Sequence, residues 1–346
     1  VDDEPNKNEP RRIKRILENA GFECELREPP KFGEIANLTC DVFITDLNLA
    51  QAQLDEMVYS GKTLSSEYRS NFPSTPIVLI TQKEIIAAKA RNIRTDNTDL
   101  DLIWYKRDAW EQKERFIEEL RSLISGFKAL SNTSLNWDTV KDLMQTVNEA
   151  EFSELREANP PIQRANWTVS EIAEWIRCVV LEFPGVLLND KYAAVRLGID
   201  PEDFATNPVL HDLFEDAKYK GIFHEFGRRW WKDRLIEIAS DFLLDNDQDT
   251  KPLVESFALT FHKAYGTKIK QATCIWDEQP IADTICYIYQ QPVKLRNSLH
   301  YRPDNRPASM EPARVSRKAI VGSNDFDELL LDPGSVETAR KWMKGE

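Results

Sequence analysis

The sequence predicts an α/β domain with a five-stranded parallel sheet over residues 1–130, followed by a mainly α-helical domain with a small β element over residues 131–346. Two observations predict these folds. The first part of the chain alternates short apolar runs with helical periodicity, which is typical of a parallel sheet covered by helices on both faces. Beyond a polar stretch at residues 131–134, apolar residues recur mostly at helical spacing. A length of 346 residues also favours two domains over one.

The strands of the first domain are predicted from short apolar or alternating runs. The chain opens at Val1, without methionine, on a segment with the character of a strand end, so we expect the first strand to be truncated. The other four strands are predicted at residues 22–26, 41–46, 76–81 and 102–106. Helical patterns separate or follow them at residues 12–17, 54–58 and 110–124. This order of elements favours a parallel sheet.

Charge and composition exclude several function classes. The chain has 45 Lys and Arg against 58 Asp and Glu, a net charge of −13, which disfavours general binding of nucleic acid. Its longest apolar runs are far shorter than the roughly 20 residues that a membrane-spanning helix needs, so no membrane span is predicted. Five cysteines without a CxxC pair, together with four histidines, predict reduced thiols, no zinc site and a cytoplasmic location.

Polar side chains end four of the five predicted strands. Asp2 and Asp3 end the first strand, Asp46 the third, Thr81 the fourth and Lys106 the fifth. Because the carboxyl ends of parallel strands meet at one edge of a sheet, we expect these side chains to surround one pocket. The alternative is that the aspartates only cap the helices that follow them.

These residues and their neighbours resemble response-regulator receiver domains of two-component signalling. The matching segments, in order and spacing, are VDDEP, VFITDLNL, PIVLIT and IWYKRD, within about the first third of the chain. The resemblance implies a flavodoxin-like, doubly wound sheet. It also implies that Asp46 is the phosphoacceptor and that Asp2, Asp3 and Asp46, with the backbone carbonyl of Asn48, bind Mg²⁺.

The chemistry of these residue types agrees with the resemblance. A hard divalent cation prefers clustered carboxylate oxygens and offsets the charge of an incoming phosphoryl group. The carboxylate of Asp46 can attack phosphorus to form an acyl phosphate. In the receiver family, the residues matching Thr81 and Lys106 contact the phosphoryl oxygens, which is a role that a hydroxyl and an ammonium can perform.

The sequence also departs from the receiver pattern. Arg107 follows the lysine where the family has a proline, so we expect the chain to turn differently there. Gln82 follows the threonine where the family has a small residue, and its bulk is expected to narrow access to Asp46. Ile103 stands near the position of the aromatic residue that responds to phosphorylation in the family. Two segments have the character of insertions, 50–74 and 91–99.

The second domain carries no recognisable catalytic motif. It has no P-loop, no GxSxG, no HExxH and no set of kinase motifs. Residues 192–200 resemble the first helix and turn of a helix-turn-helix. The segment that would form the second helix, 201–208, lacks Lys and Arg, begins with acids and contains prolines, which disfavours an approach to DNA phosphates.

Two basic segments of the second domain have competing interpretations. At residues 227–232, GRRWWK, we expect buried tryptophans and solvated arginines, and the alternative is a stacking site for a base, a peptide or a partner protein. Residues 294–318 are locally basic. We expect them to pair with the chain's own acids, and the alternative is an anionic ligand or an acidic partner.

Together these features predict a signalling protein without a catalytic output. A histidine kinase or a phosphotransfer protein would phosphorylate Asp46 with Mg²⁺, and the second domain would contact a downstream protein rather than DNA. The chain also resembles divergent receivers of prokaryotic antiphage systems. One alternative is a receiver-regulated effector enzyme, a hydrolase or nuclease, with its site around His224 or residues 302–317. Another is a transcriptional regulator, and a homodimer is left open.

Overall fold

The fold is that of a computed structural model, which describes residues 1–2, 4–30, 34–47, 49, 60–82, 99–146, 149–158, 160, 167–246 and 252–345. The chain forms two compact units: Val1–Leu143 with Pro161–Ile176, and Met144–Pro160 with Arg177–Glu346. Helices predominate in the described residues. None of the helices in these ranges combines the length and the apolar composition that crossing a bilayer requires.

The elements of the first half of the chain belong mainly to the first unit. They are α1 (Asn8–Asn19), β1 (Phe43–Asp46), α2 (Gly61–Asn71), β2 (Ile77–Thr81), β3 (Leu102–Tyr105), α3 (Lys106–Glu111), α4 (Lys113–Ser131), α5 (Trp137–Met144), α6 (Glu149–Glu157) and α7 (Val169–Trp175). Of these, α6 lies in the second unit and α5 ends at the boundary between the two units.

The remaining elements all belong to the second unit. They are β4 (Leu187–Leu188), α8 (Asp190–Arg196), α9 (Pro201–Thr206), α10 (Pro208–Leu213), β5 (Trp230–Trp231), α11 (Lys232–Asp245), α12 (Leu253–Tyr265), β6 (Thr284–Ile285), β7 (Pro292–Val293), β8 (Ser298–His300), β9 (Arg314–Ser316), α13 (Arg317–Gly322) and α14 (Val336–Met343). The strands pair antiparallel as β4–β5, β6–β7 and β8–β9.

The predicted five-stranded doubly wound sheet is wrong. In the described residues the parallel sheet has three strands, in the order β1-β2-β3. Residues 1–2 run beside β1, where the backbone nitrogen of Val1 donates to the carbonyl of Ile44 at 2.5 Å and Asp46 donates to the carbonyl of Val1 at 3.1 Å, but they form no strand. Residues 22–26 form no strand either. Their apolar side chains are only half-buried, so strand pairing there would remove little apolar surface from water.

The three strands that do form are the ones that bury their side chains. Every residue of β2 is buried, as expected for a central strand. On one face of the sheet, Phe43 stacks on Tyr68 of α2 with ring centroids 4.0 Å apart, and Ile103 packs with the same cluster. Because successive side chains of a strand point to opposite faces, Trp104 faces the other side, where it packs edge-on against Phe116 of α4 at 5.3 Å.

A buried ion pair lies at the amino end of the sheet. The guanidinium of Arg69 in α2 bonds to the carboxylate of Asp101 and to the carbonyl of Thr75, the latter at 2.7 Å. The same carboxylate accepts the backbone N–H of Ile77 at 2.7 Å. The pair therefore ties α2 to the starts of β2 and β3.

The segment at residues 227–232 contributes to the core of the second unit. Trp230 and Trp231 are fully buried, as expected, whereas Arg228 and Arg229 are half-buried and bonded to the protein rather than fully solvated. Arg228 makes a bidentate ion pair with Asp190 of α8, and the Nε of Arg229 donates to the carbonyl of Leu181 at 2.6 Å. These arginines hold the core in place, so the stacking site considered above receives no support from the contacts.

Candidate functional site

The carboxyl edge of the parallel sheet collects the polar strand ends. Asp46 is the last residue of β1, and Thr81 is the last residue of β2. The register pairs Asp46 with Ile80 and pairs Thr81 with Tyr105 of β3. The three strands therefore end within about one residue of each other, as parallel strands of this length must when their register is not offset.

Asp2 reaches the same edge from the other side of β1. Its backbone nitrogen donates to the carbonyl of Arg27 at 3.1 Å, while Val1 is bonded to β1. Its carboxylate is buried, and the Oδ1 atom accepts the backbone N–H of Glu4 at 2.9 Å. That hydrogen bond leaves the other carboxylate oxygen, Oδ2, directed at the sheet edge, where Lys106 contacts it.

Lys106 joins the two carboxylates. Its Nζ lies 2.6 Å from Oδ2 of Asp46 and 3.0 Å from Oδ2 of Asp2. All three side chains are at most 10% exposed. Burial alone would lower the pKa of the Lys106 ammonium, but the hydrogen bonds and charges of Asp46 and then Asp2 outweigh it and raise that pKa above 10.5. Lys106 is therefore a charged ammonium held between two carboxylates.

The lysine reaches this position because no loop separates it from the sheet. Helix α3 begins at Lys106, directly after the last residue of β3. Arg107 lies in the same helix, is exposed, and pairs with Glu111 at 2.9 Å. We expected the chain to turn differently at Arg107 than in the receiver family. The structure shows that β3 passes directly into α3 at this point. Glu119 of the next helix, α4, accepts the indole N–H of Trp104 at 3.0 Å and so connects α4 to β3.

The cluster offers the carboxylate oxygens of Asp2 and Asp46, which are the kind of ligand that a hard divalent metal prefers. Two carboxylates and one ammonium leave the cluster with one net negative charge. Asp3 and Asn48, the two other predicted ligands, lie outside the residues that the structure describes. Among the residues that are described, no group of three or more His, Cys, Asp or Glu side chains is arranged to hold a metal ion. Asp2 and Asp46 are the two predicted ligands that the structure brings together.

Thr81 is fully buried at the end of the neighbouring strand. It stands one position beyond Ile80, the residue paired with Asp46. The hydroxyl is thus carried by the strand next to the phosphoacceptor candidate, as the order of strand ends predicted.

Gly61 is a feature of the site that the sequence analysis missed. It is the first residue of α2, and a Cβ atom there would lie 2.9 Å from the backbone carbonyl carbon of Asp46 and 3.0 Å from the Cα of Leu47. Of the segment 50–74, expected to have the character of an insertion, residues 61–71 form α2, which buries Leu64 and Tyr68 in the core, while residues 50–59 lie outside the described residues. The available signal was the helix N-cap at Ser60, followed by apolar residues at helical spacing.

The sites considered for the second domain do not assemble. The ring of His224 is half-exposed and contacts the carbonyl of Gly221 and the carboxylate of Glu225 at 3.1 and 3.3 Å. Three basic residues of the segment 294–318 pair with the chain's own acids, which confirms that expectation for these three. The pairs are Arg296 with Asp277, Arg302 with Asp332, and Arg306 with Asp304.

The sheet edge is therefore the one place among the described residues where the predicted site residues converge. Its cluster of buried charges joins parts of the chain that are far apart in sequence. Comparisons of the chain with protein-family models, with curated proteins and with solved structures found no match in any of the three.

Proposed function

We propose that this protein is a phospho-accepting signalling protein, similar in its chemistry to a response-regulator receiver, and that Asp46 accepts the phosphoryl group. The observation that supports the proposal is the buried cluster in which Lys106 bridges Asp46 and Asp2 at the carboxyl edge of a parallel sheet. A carboxylate nucleophile with a fixed cation beside it is the arrangement that phosphoryl transfer requires, because negative charge grows on the phosphoryl oxygens.

The proposed reaction uses a phosphohistidine donor on a histidine kinase or a phosphotransfer protein. A bond forms between an Oδ atom of Asp46 and phosphorus while the P–N bond of the donor breaks, and the departing imidazole takes a proton from solvent. Lys106 moves its ammonium from the carboxylates to the phosphoryl oxygens, and the hydroxyl of Thr81 donates to the same group. Asp2 and Asp46 would hold Mg²⁺, which when bound neutralises charge on the transferred group.

The signal would leave the site through Lys106. This residue is the first of α3, so a shift of its ammonium from Asp2 toward a phosphoryl group changes the contacts of that helix. The proposed output is altered contact between the second unit and a downstream protein. A cytoplasmic location is part of the proposal, and the five cysteines, all free thiols, are compatible with it.

Thermal unfolding with a phosphoryl mimic tests the proposal. Beryllofluoride with Mg²⁺ should raise the Tm of the parent protein by about 5 °C, because a ligand that binds only the folded state stabilises it. Asp46→Asn should abolish this shift. Asp108→Asn, an acidic residue in the first turn of α3, serves as the control and should keep it. A parent protein without a shift, or an equal shift in Asp46→Asn, would contradict a phosphoacceptor at this position.

A further inference from the structure

The two-stranded sheet of β8 and β9 is apolar on one face and polar on the other. The apolar side chains of these strands and of the residues beside them pack in a core cluster of the second unit, and they are Leu299, Tyr301, Ala313 and Val315. Because successive side chains of a strand point to opposite faces, Ser298, His300 and Arg314 lie on the other face. The register pairs His300 directly with Arg314. We refer to these three residues as the β8–β9 polar face.

Neutral acceptors hold Arg314 on this face. Its Nη1 atom donates to the carbonyl and the hydroxyl oxygen of Ser298 at 3.3 and 3.2 Å, and its Nη2 atom donates to Nε2 of His300 at 2.7 Å. Nε2 can accept this bond only in the neutral imidazole. A guanidinium has five N–H groups, so these contacts leave N–H groups for a further acceptor.

Arg314 lacks the carboxylate partner that three other arginines of the segment 294–318 have. Arg296, Arg302 and Arg306 each pair with an aspartate. For Arg314, no ion pair is found within the part of the chain that the structure describes, although its side chain is half-buried. A guanidinium removed from water without an anion beside it is costly, so an added anion is stabilised there.

The carboxylates near this face already have other partners. Burial and then the charges of Arg314 and Arg302 lower the pKa of His300, while Asp332 opposes them. Asp332 is bonded to Arg302. Burial also lowers the pKa of Arg314, which the charge of Asp283 opposes, but Oδ2 of Asp283 accepts a backbone N–H at 2.9 Å. The groups in direct contact on the face are thus a guanidinium, an imidazole and a hydroxyl.

We propose that the β8–β9 polar face binds the phosphate group of a small anion, either free phosphate or a monoester, between Arg314 and His300. The N–H groups of arginine match the spacing of phosphate oxygens. When the anion binds, the imidazole takes up a proton, and Nε2 changes from an acceptor of the arginine N–H to a donor to the anion. The chain carries a net charge of −13, which disfavours a general attraction of anions, so this binding depends on local donors. The inference is independent of the proposed function of Asp46.

The test follows the ring signals of the four histidines by NMR in the full chain, with the signal of His300 assigned from His300→Gln. Sulfate is the first probe, because it stays a dianion while the pH is varied between about 8 and 5. It should raise the pKa of His300 by about one unit, since a bound anion stabilises the imidazolium. Inorganic phosphate and phenyl phosphate, each titrated at constant pH, should shift the same signal with dissociation constants of about 1 mM. The tighter of the two shows whether the face prefers free phosphate or a monoester.

Variants of Arg314 test its role. Arg314→Gln should abolish the response of His300 to all three anions, and Arg314→Lys, which keeps the charge but not the planar donors, should weaken phosphate binding by about tenfold. The matched control is Arg11→Gln, which removes the same charge from an exposed position in α1 and should keep the parental response. Chloride at the same ionic strength controls for screening, which by itself raises the pKa of an imidazole beside arginines. The signals of the other three histidines show whether each variant is folded.

A response of His300 to sulfate and to a phosphate probe supports the inference if it exceeds the response to chloride, is lost in Arg314→Gln and is kept in Arg11→Gln. Three results would overturn it. They are a His300 signal that no anion shifts, a shift that chloride reproduces in full, and a shift that persists in Arg314→Gln. Each of these would mean that the polar face does not bind a phosphate group through Arg314.

Discussion

The Nζ atom of Lys106 lies 2.6 Å from Oδ2 of Asp46, although the two residues are 60 positions apart in the chain. Both side chains are buried, and the same ammonium also contacts Asp2 at 3.0 Å. Ions in a protein interior cost several kcal/mol each to desolvate, so this cluster persists only because its charges compensate one another. Any change that removes one of these charges is therefore expected to lower stability.

Replacement of Lys106 by methionine is expected to destabilise the protein by about 3 kcal/mol, because it leaves two carboxylates buried without their cation. Urea unfolding measures this loss. Lys113→Met is the control. The side chain of Lys113 is 57% exposed and pairs with Glu114 at 3.5 Å, so its replacement should cost less than about 1 kcal/mol. Equal costs for the two variants would mean that the buried cluster does not contribute to stability.

Gly61→Ala is expected to destabilise the protein by about 2 kcal/mol, because its Cβ would press on the backbone carbonyl of Asp46 and must displace α2 or β1. The matched substitution is Gly322→Ala in α13, where nothing lies within 4 Å of the new Cβ. That variant should be neutral or slightly more stable, since alanine restricts the unfolded chain. Thermal melting of both variants measures the difference in stability. A Gly61→Ala variant as stable as Gly322→Ala would contradict the close approach of residue 61 to the backbone of Asp46.

Asp101→Ala should cost about 3 kcal/mol, because it leaves the guanidinium of Arg69 buried without its carboxylate and also removes the acceptor of the Ile77 backbone N–H. The comparison is Asp41→Ala, which breaks an exposed pair with Lys128. An exposed pair contributes at most about 1 kcal/mol, so this control should remain close to the parent in urea unfolding. If Asp101→Ala is no worse than the control, the ion pair at the amino end of the sheet is not structural.

The free energy of unfolding should decrease as the pH is lowered and His211 becomes protonated. Burial and then the neighbouring Arg228, whose Nη1 lies 3.2 Å from Nδ1 of the ring, lower the pKa of His211 below 6.5. The unfolded state therefore binds the proton first, so the stabilisation is complete above pH 6.5 and is lost as the pH falls through the lower pKa of the folded state. Burial also lowers the pKa of His300, which acts in the same direction.

The measurement is the free energy of unfolding at several pH values between about 7 and 5. His211→Gln should show a shallower decline than the parent over this range. His262→Gln, an exposed residue of α12, should decline as steeply as the parent. Identical slopes for the parent and His211→Gln would rule out His211 as a source of the pH dependence.

The sequence predicted the candidate site better than it predicted the sheet. The strand predictions at 41–46, 76–81 and 102–106 are confirmed within one or two residues by β1, β2 and β3. The polar residues that end these predicted runs, Asp46, Thr81 and Lys106, could be identified at the same time, since a buried strand is expected to be apolar until it leaves the core. The second predicted strand, at 22–26, did not form, because alternation along the chain does not show how deeply a segment is buried.

Contacts between residues that are far apart in the chain could not be predicted from such local patterns. The requirement for glycine at position 61 depends on the carbonyl of Asp46, and the partner of Gln82 is Glu9 in another element. Nothing local to either residue indicates these contacts. The bulk of Gln82 was visible in the sequence, but the carboxylate that holds its amide was not.

The amino-acid sequence by itself determined where three strands run and which polar side chains end them, because a short apolar run bounded by turn residues is typical of a buried strand. Only the tertiary structure decided that the parallel sheet of the described residues has three strands, that α3 follows β3 without a loop, and that one ammonium lies between two carboxylates. These features depend on burial and on charge compensation between residues far apart in the chain, and such energies arise only when the chain is folded.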